Sequence, residues 1–75
     1  MVAKFLFYAL ALEGTSLFLP EPLRGKDFAI TQPTSFAFPR LFKSKTMAEL
    51  AKKVWERSNN KSLEIVPMQL EKINA

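Results

Sequence analysis

The chain contains no cysteine and no histidine. Disulfide staples, thiol nucleophiles, imidazole general bases and zinc sites built on Cys or His are therefore excluded, and a reducing, cytoplasmic compartment is the simpler expectation. Glycine occurs only twice, too rarely for a loop that cradles phosphate. Serine, threonine, lysine, tyrosine and carboxylates remain. None of them falls in a nucleophile elbow, a Ser-x-x-Lys pair or a clustered acidic metal box. General acid and base work would have to rest on carboxylates or lysines alone. The expectation is a non-enzyme with no catalytic residue, no cofactor and no metal. A long hydrophobic run is missing too. Residues 1–12, MVAKFLFYALAL, set Ala9-Leu10-Ala11 behind a lysine in loose imitation of a secretory signal. The run falls short of the roughly 15–30 residues of such a signal and the roughly 20 of a membrane span, so no membrane partner is expected.

What the chain does have is apolar material. Of its 75 residues 48% are hydrophobic, including seven Phe, one Tyr and one Trp. A single domain spanning 1–75 buries only about 60% of its unfolded surface. One helix on one sheet face does not hide this much, so surface should be left for a partner protein or a second copy in a homodimer.

The strongest local pattern is residues 42–60, FKSKTMAELAKKVWERSNN. Thr46 with Glu49 three residues on reads as a capping box that starts a helix at Thr46. Met47, Leu50, Ala51, Val54 and Ser58 form one stripe at helical spacing, with Glu49, Lys52, Lys53 and Glu56 opposite. Ser58, Asn59 and Asn60 stop it. A helix of this length needs tertiary support, which predicts a core of Met47, Leu50 and Val54 packed on Leu63 and Ile65. On that reading Leu50→Asp unfolds the protein.

The remaining elements read as strands. Residues 1–12 are apolar on both faces, as in a central strand. Glu13-Gly14 makes a hairpin turn into a strand at 16–20, which Pro20 and Pro22 end. Residues 27–31 (DFAIT) form a short candidate strand. Residues 35–42 form a clearer one that Pro39 assigns to an edge, with Phe36, Phe38, Arg40 and Phe42 on one side. Residues 62–66 (SLEIV) give a last strand up to Pro67, and 68–75 add a helical turn on Met68, Leu70 and Ile73 or fray. The fold expected is α+β, an antiparallel sheet of three to four strands in ββ(β)αβ order with one amphipathic helix across one face.

Three features bear on function. The net charge of +4 is concentrated: residues 40–61 carry seven basic side chains against Glu49 and Glu56. Lys43, Lys45, Lys52, Lys53, Arg57 and Lys61 could follow phosphates with Trp55 or Phe42 as a stacking surface, or form a solvated face with Glu49–Lys53 and Lys52–Glu56 pairs. Trp55 lies at the margin of the stripe, either half-packed or an interface anchor. The phenylalanines cannot all lie under one helix, because a strand sends alternate side chains to opposite faces. Phe5, Phe7, Phe36 and Phe38 join Trp55 as candidate protein-contact residues.

Residues 38–45, Phe-Pro-Arg-Leu-Phe-Lys-Ser-Lys, followed by a helix carrying Ala48, Ala51 and Trp55, resemble small bacteriophage accessory proteins over about twenty positions. The resemblance implies a role rather than a site: an early protein that binds one host protein and blocks or redirects it. Leu41 and Phe42 would seat the strand and Ser44 to Thr46 start the helix, with no functional residue carried over. The function expected is therefore a non-enzymatic protein-binding module, such as a phage-encoded inhibitor of a host protein. A small basic nucleic-acid-binding protein and a structural subunit of a larger assembly are the alternatives.

Overall fold

The computed structural model describes residues 2–73, with side chains described from residue 4 to residue 70. The readings made for Met1, Asn74, Ala75 and the Ile73 side chain lie outside these. The order is β1 (Val2–Leu12), a 3-10 turn at Phe28–Ile30, α1 (Lys45–Asn59) and β2 (Leu63–Ile73). The fold is α+β as expected, but its sheet has two strands rather than three or four. β1 and β2 pair antiparallel along their whole length, from Val2 opposite Ile73 to Leu12 opposite Leu63. The molecule measures 44 × 23 × 21 Å. An eleven-residue strand spans roughly 36 Å, so the ribbon must run along the long axis.

β2 continues through Pro67 instead of stopping there, and the register explains why. Tyr8 exchanges both backbone hydrogen bonds with Phe42 (2.9 and 2.8 Å), so its peptide groups face away from β2. Its partner Pro67 is thus in a non-hydrogen-bonded pair, and the missing amide would have pointed off the outer edge. As far as Ile73, the tail expected to turn or fray is held as strand by β1 instead.

The additional strands expected between β1 and α1 are reduced to isolated bridges. Leu12 donates to Leu17 (2.9 Å) and Leu19 to Leu10 (2.9 Å), closing the turn in which Gly14 takes φ +77°. Phe18 then exchanges bonds with Thr34, and Arg40 donates to Leu19 (2.9 Å). Four of the five prolines lie in residues 20–39, where each deletes an amide donor, so no ladder can propagate. Residues 27–31 form a 3-10 turn rather than a strand. The Asp27 carboxylate accepts from the Ala29 amide (2.9 Å), offering the backbone a local alternative to a sheet.

α1 starts one residue earlier than expected, with a different cap. Ser44 is extended, and its hydroxyl accepts from the Met47 amide (3.2 Å). Thr46 lies inside the first turn and forms no capping box. Asn60 ends the helix in the left-handed conformation (φ 52°), its amide donating to Glu56 (3.0 Å).

The largest departure is the rotation of α1 about its axis. The buried helix residues are Ala48 and Trp55, with Ala51 partly covered beside them. Met47, Leu50 and Val54, the predicted core, are 56, 60 and 52% exposed. Trp55, only 1% exposed, packs with Leu10, Leu19, Phe42, Ala48 and Leu63. An indole removes more apolar area from water than Leu or Val, and Ala48 and Ala51 let the helix approach the ribbon closely. The indole amide is also satisfied, donating to the Thr31 carbonyl (2.8 Å). Trp55 and the aliphatic stripe lie on different sides of the helix, and Trp55 takes the core.

Polar contacts fix this orientation at the C-terminal end of the docked face. Asn59 donates through its amide nitrogen to the carbonyls of Ala29 and Trp55, tying the 3-10 turn to the helix. The Glu56 carboxylate accepts from the Leu63 amide (2.7 Å), fixing where β2 begins, while Lys52 stands 3.9 Å away. Removing this charge-assisted bond by Glu56→Ala should cost about 1.5–3 kcal/mol. Urea denaturation would measure it, with Glu49→Ala, on the exposed side of the same helix, as a control expected within about 0.5 kcal/mol of wild type.

Candidate protein-interaction surfaces

In the ribbon, the side chains of Tyr8, Leu10 and Leu12 turn toward the core that α1 completes. Leu10 and Leu12, opposite Ile65 and Leu63, form the floor beneath Trp55. The irregular segments pair with β1 only from Tyr8 to Leu12, so the far half of the ribbon extends past them. On the other face, Ala9 and Ala11 are buried, and then the cover opens. Phe7, Met68 and Leu70 are half-buried and Phe5 is exposed. Phe5 and Phe7 thus share one uncovered apolar face, as the alternation of β1 required.

Phe36 and Phe38 belong to a different region. They project from the segment that bridges back to Phe18 and Pro20, and Phe36 is 98% exposed. Between them Ala37 lines an open groove of about 420 Å³, walled by Pro20, Pro22, Leu23 and Ile30. Arg40 and Phe42, read as companions of these rings, turn inward instead. The Arg40 guanidinium lies 4.9 Å from the Phe28 ring centre and 5.0 Å from that of Phe42, with Glu21 at 3.6 Å. The two rings meet edge to face at 6.3 Å. That cation is committed to packing, which removes it from any outward basic surface.

The predicted contact residues are therefore not one patch. Phe5 and Phe7 are on the ribbon, Phe36 and Phe38 on the loop, and Trp55 is in the core, so the expectation that Trp55 anchors an interface is corrected. Its aromatic area is already spent inside the monomer. In its place stands a surface that the sequence reading had assigned to the interior: Met47, Leu50 and Val54, at i, i+3 and i+7 on the outer side of α1. The available signal was the margin of that stripe, where Ala48 and Ala51 flank Trp55: small residues let the helix approach closely and the one large ring fills the space.

The chain matches no family model, no curated protein and no solved structure. Function therefore rests on these surfaces and their charge. Of the basic candidates, Lys43, Lys45, Lys53, Arg57 and Lys61 are exposed, whereas Lys52 is partly covered and near Glu56. Lys53 is three residues from Leu50 and Arg57 three from Val54, so both adjoin the aliphatic stripe. With Trp55 buried and Phe42 in the core, the helix offers no aromatic surface on which a base could stack. No grouping of three or more metal-ligating side chains occurs among the described residues. No helix among them is long and apolar enough to cross a membrane.

Proposed function

We propose that this chain is a protein-binding module that acts without catalysis, through apolar surface its own fold leaves open. The observation that carries this reading is the exposure of nine large hydrophobic side chains among the described residues of a 75-residue protein. They are grouped on the outer side of α1, the end of the ribbon and the loop around Phe36, rather than scattered singly. Where exposed apolar side chains group into a patch, they mark contact sites on soluble domains. The resemblance to bacteriophage accessory proteins makes a host protein the target we favour, with inhibition or redirection as the outcome.

The nucleic-acid alternative retains five exposed cations but loses its stacking residues. Salt separates the two: phosphate contacts weaken linearly in log affinity against log salt, whereas an apolar interface changes far less. The test is to incubate the tagged chain with lysate of its host cell and identify retained proteins at low and high salt. Stoichiometric retention of one protein that survives nuclease treatment and moderate salt supports the proposal. Retention of nucleic acid alone, or of nothing, overturns it.

A further inference from the structure

Resting on that reading, we propose that the outer stripe of α1 docks an acidic amphipathic segment of the partner protein. Met47, Leu50 and Val54 supply an apolar seam at i, i+3 and i+7, the spacing by which one helix or extended segment reads another. Lys53 and Arg57 line one side of the seam, with Lys43 before the helix, Lys45 at its first position and Lys61 beyond it. All five are exposed, and Glu49 is the one exposed carboxylate on α1, since Glu56 is turned toward Leu63. The seam is therefore apolar at its centre and positive at its margins, complementary to aliphatic anchors flanked by Asp or Glu.

The same charges argue against a second copy in this position. Two helices packed stripe to stripe would bring Lys53, Arg57 and Glu49 from each copy to one seam, four cations against two carboxylates. They also argue against nucleic acid, because a phosphate backbone would contact the margins while leaving the aliphatic centre unused.

The probe is a synthetic amphipathic peptide of about 20 residues, long enough to form helix on contact, with leucines at i, i+3 and i+7 and glutamates between. A counterpart carries lysine for every glutamate. Fluorescence anisotropy against the full chain should show binding of the acidic peptide alone, weakening as salt rises. Lys53→Glu with Arg57→Glu, and separately Leu50→Gln with Val54→Gln, should each weaken it about tenfold or more, as truncated hot spots do. All four residues are exposed, so both variants should fold, and circular dichroism melts are the check. Equal binding of both peptides, no binding, or binding indifferent to either double variant overturns the proposal. So does a duplex DNA that displaces the peptide and responds to the charge reversal but not to the glutamines. Repeating the lysate capture with the glutamine variant keeps the two readings apart. A partner retained by that variant but lost by Phe5→Ser with Phe7→Ser leaves the chain a protein-binding module and moves its site to the ribbon.

Discussion

Trp55→Ala is expected to abolish the cooperative unfolding transition of this protein at 25 °C. Large-to-small replacement of a buried Trp costs about 3–5 kcal/mol, and the single core of a chain this short rarely supplies more than about 3–5 in all. The loss is compounded because the indole is both the centre of the core and a tie to the Thr31 carbonyl. Without it, the 3-10 turn at Phe28–Ile30 keeps only the Asn59 amide as a hydrogen-bonded link to the helix. Trp55→Phe separates the contributions. It retains a ring in the core and gives up the bond to Thr31, for a loss of about 1–3 kcal/mol, or roughly 4–8 °C in Tm for each kcal/mol. Urea titration followed by far-ultraviolet circular dichroism reads both variants without relying on the fluorophore that has been removed. An alanine variant that melts like wild type would mean that the core lies elsewhere.

Leu10→Ala should lose about 2–5 kcal/mol, while Leu6→Ala, four residues earlier on the same face of the same strand, should lose less than about 0.5. The contrast follows from where cover ends. Leu10 is fully buried beneath the helix and bonded along its backbone to Leu19, whereas Leu6 is beyond the bridge from Tyr8 to Phe42 and exposed. Equal losses at the two positions would show that the ribbon is covered along its whole length in solution. That result would remove one of the open surfaces on which the binding proposal rests.

How much of this was legible in the sequence depends on which force decided each feature. β1 and α1 were, because eleven residues without a breaker and a sustained 3.6-residue period are local signals. That β1 pairs with the last strand was not, because alternation places both in a sheet without naming neighbours. The extension of that strand past Pro67 was not, because a proline's effect depends on whether its missing amide faces a neighbour or the open edge, and only the register decides that. Residues 27–31 alternate like a strand, yet the carboxylate of Asp27 diverts them into a 3-10 turn by a bond two residues away. The rotation of α1 was the consequential miss. Periodicity picked out one stripe, Met47, Leu50, Ala51, Val54 and Ser58, with Trp55 at its margin. Yet Ala48 and Ala51 let the helix approach the ribbon closely and the Trp55 indole fills the core while its Nε1 donates to Thr31, so the margin of the stripe is the side that docks. Phe5 and Phe7 were placed on a common face by alternation alone, and they lie there. Phe36 and Phe38 were assigned to a strand face and emerged on a loop, still exposed.

The account turns on which side of α1 meets the core, and Leu50→Asp tests that side directly. A charge on the outer stripe should leave the urea transition cooperative and within about 1 kcal/mol of wild type, most of that being the lower helix propensity of Asp, while partner capture is lost. Loss of the cooperative transition in this variant would put Leu50 in the core and contradict the account.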